Sequence, residues 1–156
     1  MFVFDTSAFI NGWRYHYPPA TFPGVWELIA EALGDGRVIA PREALNELEA
    51  KDDDVYAWAK PMAASFVDPD ADVQREAGGV QAFLPKPGIR DKADPWVIAE
   101  AIVRGLTVVT YEGRTFGGAQ TVKASTKMPG ICEKLGVPCL ILPEALGQLG
   151  GSFQRR

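Results

Sequence analysis

The sequence predicts an α/β domain, three layers deep, with a mainly parallel central sheet packed between helices. Three observations carry that prediction. Short apolar runs at 1–4, 37–40, 106–109 and 137–142 alternate with stretches whose apolar residues recur at three- and four-residue spacing. Helix punctuation separates them, with prolines and aspartates at starts and glycines at stops. Finally, 156 residues are the size of one domain, which buries roughly 70% of its unfolded surface.

The first strand, 1–4, ends on Asp5, with Thr6 and Ser7 available to cap a short helix on Ala8, Phe9 and Ile10. Residues 11–24 contain Gly12, Pro18, Pro19, Pro23 and Gly24 and are expected to form a loop. Arg14, Tyr15, His16 and Tyr17 could stack on or pair with exposed nucleotides, because arginine and aromatic rings serve single strands without reading sequence. Packing of Trp13, Tyr15 and Tyr17 onto the domain is the favoured expectation for the aromatics, and Arg14 is kept as a candidate nucleic-acid contact.

Residues 25–33 form an amphipathic helix closed by Gly34, Asp35 and Gly36, and 37–40 the second strand. Pro41 opens the helix 42–51, with Leu45 and Leu48 inward and Glu43, Glu47 and Lys51 on one face. Glu47 with Lys51 has the spacing of an ordinary surface ion pair. Asp52, Asp53 and Asp54 give the next helix, 55–60, an acidic first turn. Pro61 ends or bends it. Phe66 and Val67 are a short extended piece, Asp68, Pro69 and Asp70 a turn and cap, and 71–84 a weaker helix containing Gly78 and Gly79.

The chain is organised around 91–112. Asp94 is expected to be an N-cap, followed by Pro95 at the first helical position. Val97, Ile98, Ala101 and Ile102 fall on one helix face, Gly105 stops the helix, and Leu106, Thr107, Val108 and Val109 form a strand ending on Thr110, Tyr111 and Glu112. The glycine-rich stretch 113–127 supplies Arg114, Lys123 and Lys127 as candidate phosphate contacts. A short helix at 128–135, the last strand at 137–142 and a helix at 143–149 complete one domain over 1–149, with 150–156 a frayed tail.

Composition narrows the function. A net charge of -4 argues against a broadly basic nucleic-acid binder, although two divalent ions on four carboxylates would bring the sum to zero. Two cysteines, Cys132 and Cys139, with one histidine cannot close a zinc site and are expected to be reduced. No apolar run reaches transmembrane length and no leader segment is evident, so the expected location is the cytoplasm, with no membrane partner. The Gly-x-Gly-x-x-Gly, Walker and Gly-x-Ser-x-Gly signatures are absent, and with them dinucleotide, P-loop and serine-hydrolase readings.

Carboxylate chemistry remains. In an open α/β sheet, acids at strand ends and helix starts face one crevice. Asp5, Glu47, Asp94 and Glu112, occurring in that order, resemble the four acids of PIN-domain nucleases. The resemblance is carried by Phe2-Val-Phe-Asp5-Thr6-Ser7, Ala44-Leu-Asn-Glu47-Leu48, Asp94-Pro-Trp-Val97-Ile98-Ala99 and Val108-Val109-Thr110-Tyr-Glu112, and spans residue 1 to about residue 142. It is closest to the subgroup with a long aromatic loop after the first motif and Ala-Asp-Pro-Trp in the third. It implies a PIN-like fold, a metal-dependent ribonuclease acting on phosphodiesters, and commonly the toxin of a bacterial toxin and antitoxin pair, often a homodimer.

Carried over by position, Asp5, Glu47, Asp94 and Glu112 are the catalytic and metal-binding acids, with Thr6, Ser7 and Thr110 as supporting groups. Glu112 stands where most PIN domains have aspartate, and Asp91, one turn before Asp94, is a substitute ligand. Hard oxygen donors suit Mg²⁺ or Mn²⁺. Two ions roughly 4 Å apart would clamp a phosphodiester in line. The competing expectations are a catalytically silent PIN-like binding module and a phosphotransfer domain using Asp5 as nucleophile.

Overall fold

The computed structural model describes residues 1–84, 93–111 and 128–150. Five strands form one sheet, β1 (Phe2–Phe4), β2 (Val38–Pro41), β3 (Phe66–Val67), β4 (Thr107–Thr110) and β5 (Cys139–Ile141), in the order β3-β2-β1-β4-β5. Every pairing is parallel, with Phe2 opposite both Val38 and Thr107, and Val108 opposite Cys139. The helices are α1 (Thr6–Asn11), α2 (Pro23–Asp35), α3 (Arg42–Lys51), α4 (Asp53–Ala59), α5 (Ala71–Val80), α6 (Asp94–Arg104), α7 (Met128–Leu135) and α8 (Leu142–Gln148). The three-layer α/β/α architecture expected from the sequence is present.

β1 shows why the protein has two cores. Side chains alternate across a strand. Phe2 and Phe4 therefore enter one cluster with Phe9, Trp26, Ile29, Leu48 and Phe66, while Val3 enters another with Val97, Ile98, Val108, Met128 and Ile131. The first core contains a group of aromatic rings in mutual contact. Phe9 lies 5.4 Å from Phe4 and 5.7 Å from Phe66 between ring centroids, and Trp26 meets Trp13 at 4.9 Å and Trp58 at 5.1 Å. Fully burying such rings contributes about 1.5–3 kcal/mol each, and truncating one to alanine costs about 3–5 kcal/mol.

Several element ends differ from the sequence-based expectation. The stretch after α1 is not a loop throughout, because Gly12–His16 forms a single π-helical turn continuous with α1. Trp13 drives it by reaching Trp26 and Trp58. Asp5, rather than Thr6 or Ser7, caps α1, since only its side chain accepts the Ala8 N–H, at 2.9 Å. Asp52 caps α4 by accepting from Val55 N–H at 3.2 Å, and Asp70 caps α5 from Val73 N–H at 2.9 Å. α6 ends as expected on Gly105, whose φ of 68° is left-handed and suits glycine. Among the described residues, no helix is long and apolar enough to cross a membrane.

Candidate functional site

The sheet order reverses beside β1. The chain moves outward through β2 to β3, then returns to place β4 and β5 on the other side. Ligands of open parallel sheets sit beyond the carboxyl strand ends at such a reversal. β1 is followed there by Asp5, and β4 ends there on Thr110. α6 leads back into β4, so its first turn, with Asp94, lies at the same edge of the sheet.

Asp5 is 1% exposed. Its Oδ1 accepts the Ala8 N–H and, at 2.6 Å, the Ser7 hydroxyl. Ser7 Oγ also accepts the Tyr111 N–H at 3.1 Å and lies 3.0 Å from Thr110 Oγ1. A serine hydroxyl carries one proton, and that proton goes to Asp5, so Thr110 donates to Ser7. Ser7 thus joins the ends of β1 and β4, and Asp5 is held by both. The neighbouring Thr6 hydroxyl is buried, with no hydrogen-bond partner among the described residues.

Glu47 is 7% exposed, so its i,i+4 pair with Lys51 is not an ordinary surface pair. Lys51 Nζ does stand 4.0 Å from Oε2, but Oε1 turns inward and accepts the Ala93 N–H at 2.7 Å. The first N–H groups of a helix lack partners within it, and a carboxylate is the acceptor the dipole favours. This contact also corrects the role given to Asp94. The cap position belongs to Ala93, whose carbonyl accepts the Val97 N–H at 3.0 Å, and Asp94 is the first helical residue.

Asp94 is 3% exposed. Cys132 on α7 is fully buried. The Cys132 thiol is pushed well above the ordinary thiol range, first by its hydrogen bond to Cys139 and by burial, then by the negative charges of Cys139, Asp5 and Asp94. Both cysteines are free, as expected. Among the described residues, no group of three or more His, Cys, Asp and Glu side chains is placed to hold a metal ion by itself.

Residues 2–153 match the model of a family described as a domain of unknown function, DUF4411. The chain belongs to this family. None of the curated proteins matches it.

In this DUF4411 chain the aromatic turn flanks the crevice. His16 stacks on Tyr111 with ring centroids 3.9 Å apart and planes 15° from parallel. Burial lowers the His16 pKa. Tyr111, hydrogen-bonded to Tyr17, is pushed up to about 12, chiefly by burial. Arg14 forms an ion pair with the buried Asp52, yet half of its side chain stays exposed. Trp13 and Tyr17 pack as expected, whereas Tyr15 is 73% exposed.

Glu112 and Asp91 lie outside the described residues, as do Arg114, Lys123 and Lys127. One neighbour of the site escaped the sequence reading. The His16 and Tyr111 stack joins positions 95 residues apart, and local pattern cannot report such a pairing.

Proposed function

We propose that this chain is a divalent-metal-dependent nuclease whose site is built around Asp5 and Asp94. The observation that carries the reading is the pair of buried aspartates, one directly after β1 and one opening α6, that the parallel topology places at the same carboxyl edge of the sheet. Burying carboxylates near one another is costly unless something of opposite charge compensates them. The donor set fits Mg²⁺ or Mn²⁺, since Mg²⁺ takes one or two carboxylates and keeps several waters rather than requiring a closed protein cage. The buried Thr6 hydroxyl beside Asp5 is a further oxygen that a bound group would satisfy.

Asp5 and Asp94 would hold the ion, and Glu47 would fix the start of α6 so that Asp94 keeps its place. Ser7 and Thr110 would hold the Asp5 carboxylate in one rotamer, as outer hydrogen bonds do for ligating groups. The metal would supply Lewis acidity at the phosphodiester and an ordered water as nucleophile. The resemblance to PIN-domain nucleases supports RNA as substrate, a toxin role with an antitoxin protein as partner, and a homodimer.

The test is cleavage of single-stranded RNA by the full chain in Mg²⁺. D94N and D5N should each lower the rate at least a hundredfold, roughly 3 kcal/mol of barrier, and a chelator should abolish it. Cleavage surviving both treatments rules this site out. A second reading, a silent binding module, is kept by Glu112, which stands where most PIN domains have aspartate. In that case the wild type would bind RNA without cutting it in either metal.

A further inference from the structure

The π-helical turn Gly12–His16 is pinned at nearly every residue. An added Cβ at Gly12 would come within 2.7 Å of Leu142 Cδ2, so the backbone lies directly on α8. Trp13 enters the Trp26 and Trp58 cluster, Arg14 is held by Asp52, and His16 stacks on Tyr111. Tyr15 alone points its ring outward. π-turns within helices are uncommon and occur often at functional sites. This one connects to the acidic crevice, because Tyr111 donates its N–H to Ser7, which holds Asp5.

An exposed tyrosine on a flexible loop would lose ordering entropy when it bound a partner, but here the backbone is already fixed. Arg14 is beside it in sequence and half exposed, with Asp52 engaging Nε, so terminal N–H groups remain for a phosphate. A flat aromatic next to a cation on a fixed backbone offers an unpaired nucleotide a stacking face and a partner for its phosphate.

We propose that Tyr15 is a stacking platform for an unpaired base of the RNA strand whose phosphodiester reaches Asp5 and Asp94. The inference rests on the nuclease reading and adds to it the base contact that holds the strand. It is tested by fluorescence anisotropy of a labelled short oligouridylate titrated with the full chain, with Ca²⁺ replacing Mg²⁺ to prevent cleavage. Y15A should raise Kd about 5–150-fold, the loss expected for one base stack, while Y15F stays within about twofold of wild type. An abasic strand of equal length should bind wild type and Y15A alike.

Equal oligouridylate binding by Y15A and wild type overturns the proposal. So does equal weakening in Y15A and Y15F, or a wild type that does not bind the strand. Failure of the nuclease reading appears separately, as RNA cleavage in Mg²⁺ that D94N leaves unchanged, and does not alter the binding readout.

Discussion

The Glu47 carboxylate accepts the Ala93 N–H at 2.7 Å, so a side chain of α3 holds the first turn of α6. Two elements that share no strand pairing are tied at the one point where Asp94 leaves the backbone. The tie gives Glu47 a structural role that can be separated from any role at a metal.

E47A leaves a buried N–H without its acceptor, which costs about 1–3 kcal/mol. The thermal midpoint should fall by roughly 2–10 °C. E47Q keeps an oxygen at the same place and should recover most of that loss, and most of the RNA cleavage with it. An E47A protein as stable as wild type would remove Glu47 from the α6 start.

S7A deletes the hydroxyl that donates to Asp5 and accepts from Tyr111 and Thr110. Cleavage should fall about 10–100-fold, the usual effect of losing a group that orients a ligand, and the pH dependence should keep its shape. Unchanged cleavage in a folded S7A protein would show that Asp5 needs no such support.

Asp52 supplies a pH dependence of stability. Burial would raise its carboxyl pKa, but the hydrogen bond from Arg14, the Val55 N–H, the Arg14 charge and the Asp54 N–H outweigh burial and lower it. A carboxyl depressed in the folded state stabilises fully above its unfolded value of about 3.9 and loses that contribution as pH falls through the folded value. The midpoint difference between wild type and D52N should therefore be constant from about pH 5 to 7 and close below about pH 4. A gap that persists at pH 2 would contradict the pairing with Arg14.

What the sequence made legible was local. Gly105 announced the end of α6 because only a left-handed residue closes a helix that way, and the β-branched run at 107–109 announced β4. Asp5 stood out because an acid directly after an apolar strand falls at a crevice. Glu47 stood out only through the family resemblance, because its spacing to Lys51 is that of an ordinary ion pair, while its partner Ala93 is 46 positions away. The π-turn was read as loop because prolines and glycines crowd the segment. Its cause is a tryptophan cluster assembled from 13, 26 and 58, which no window of neighbouring residues contains.

β1 and β4 lie side by side in the sheet, yet Ser7 and Thr110, which join their ends, are 103 positions apart. During synthesis Asp5 leaves the ribosome long before Thr110 or the start of α6 exists. Non-local pairings of this kind form late, because a long stretch of chain must be closed first. A half-made copy therefore carries its first acid without the two elements that hold and complete the pocket, and any activity of the pocket begins only once most of the chain has been translated.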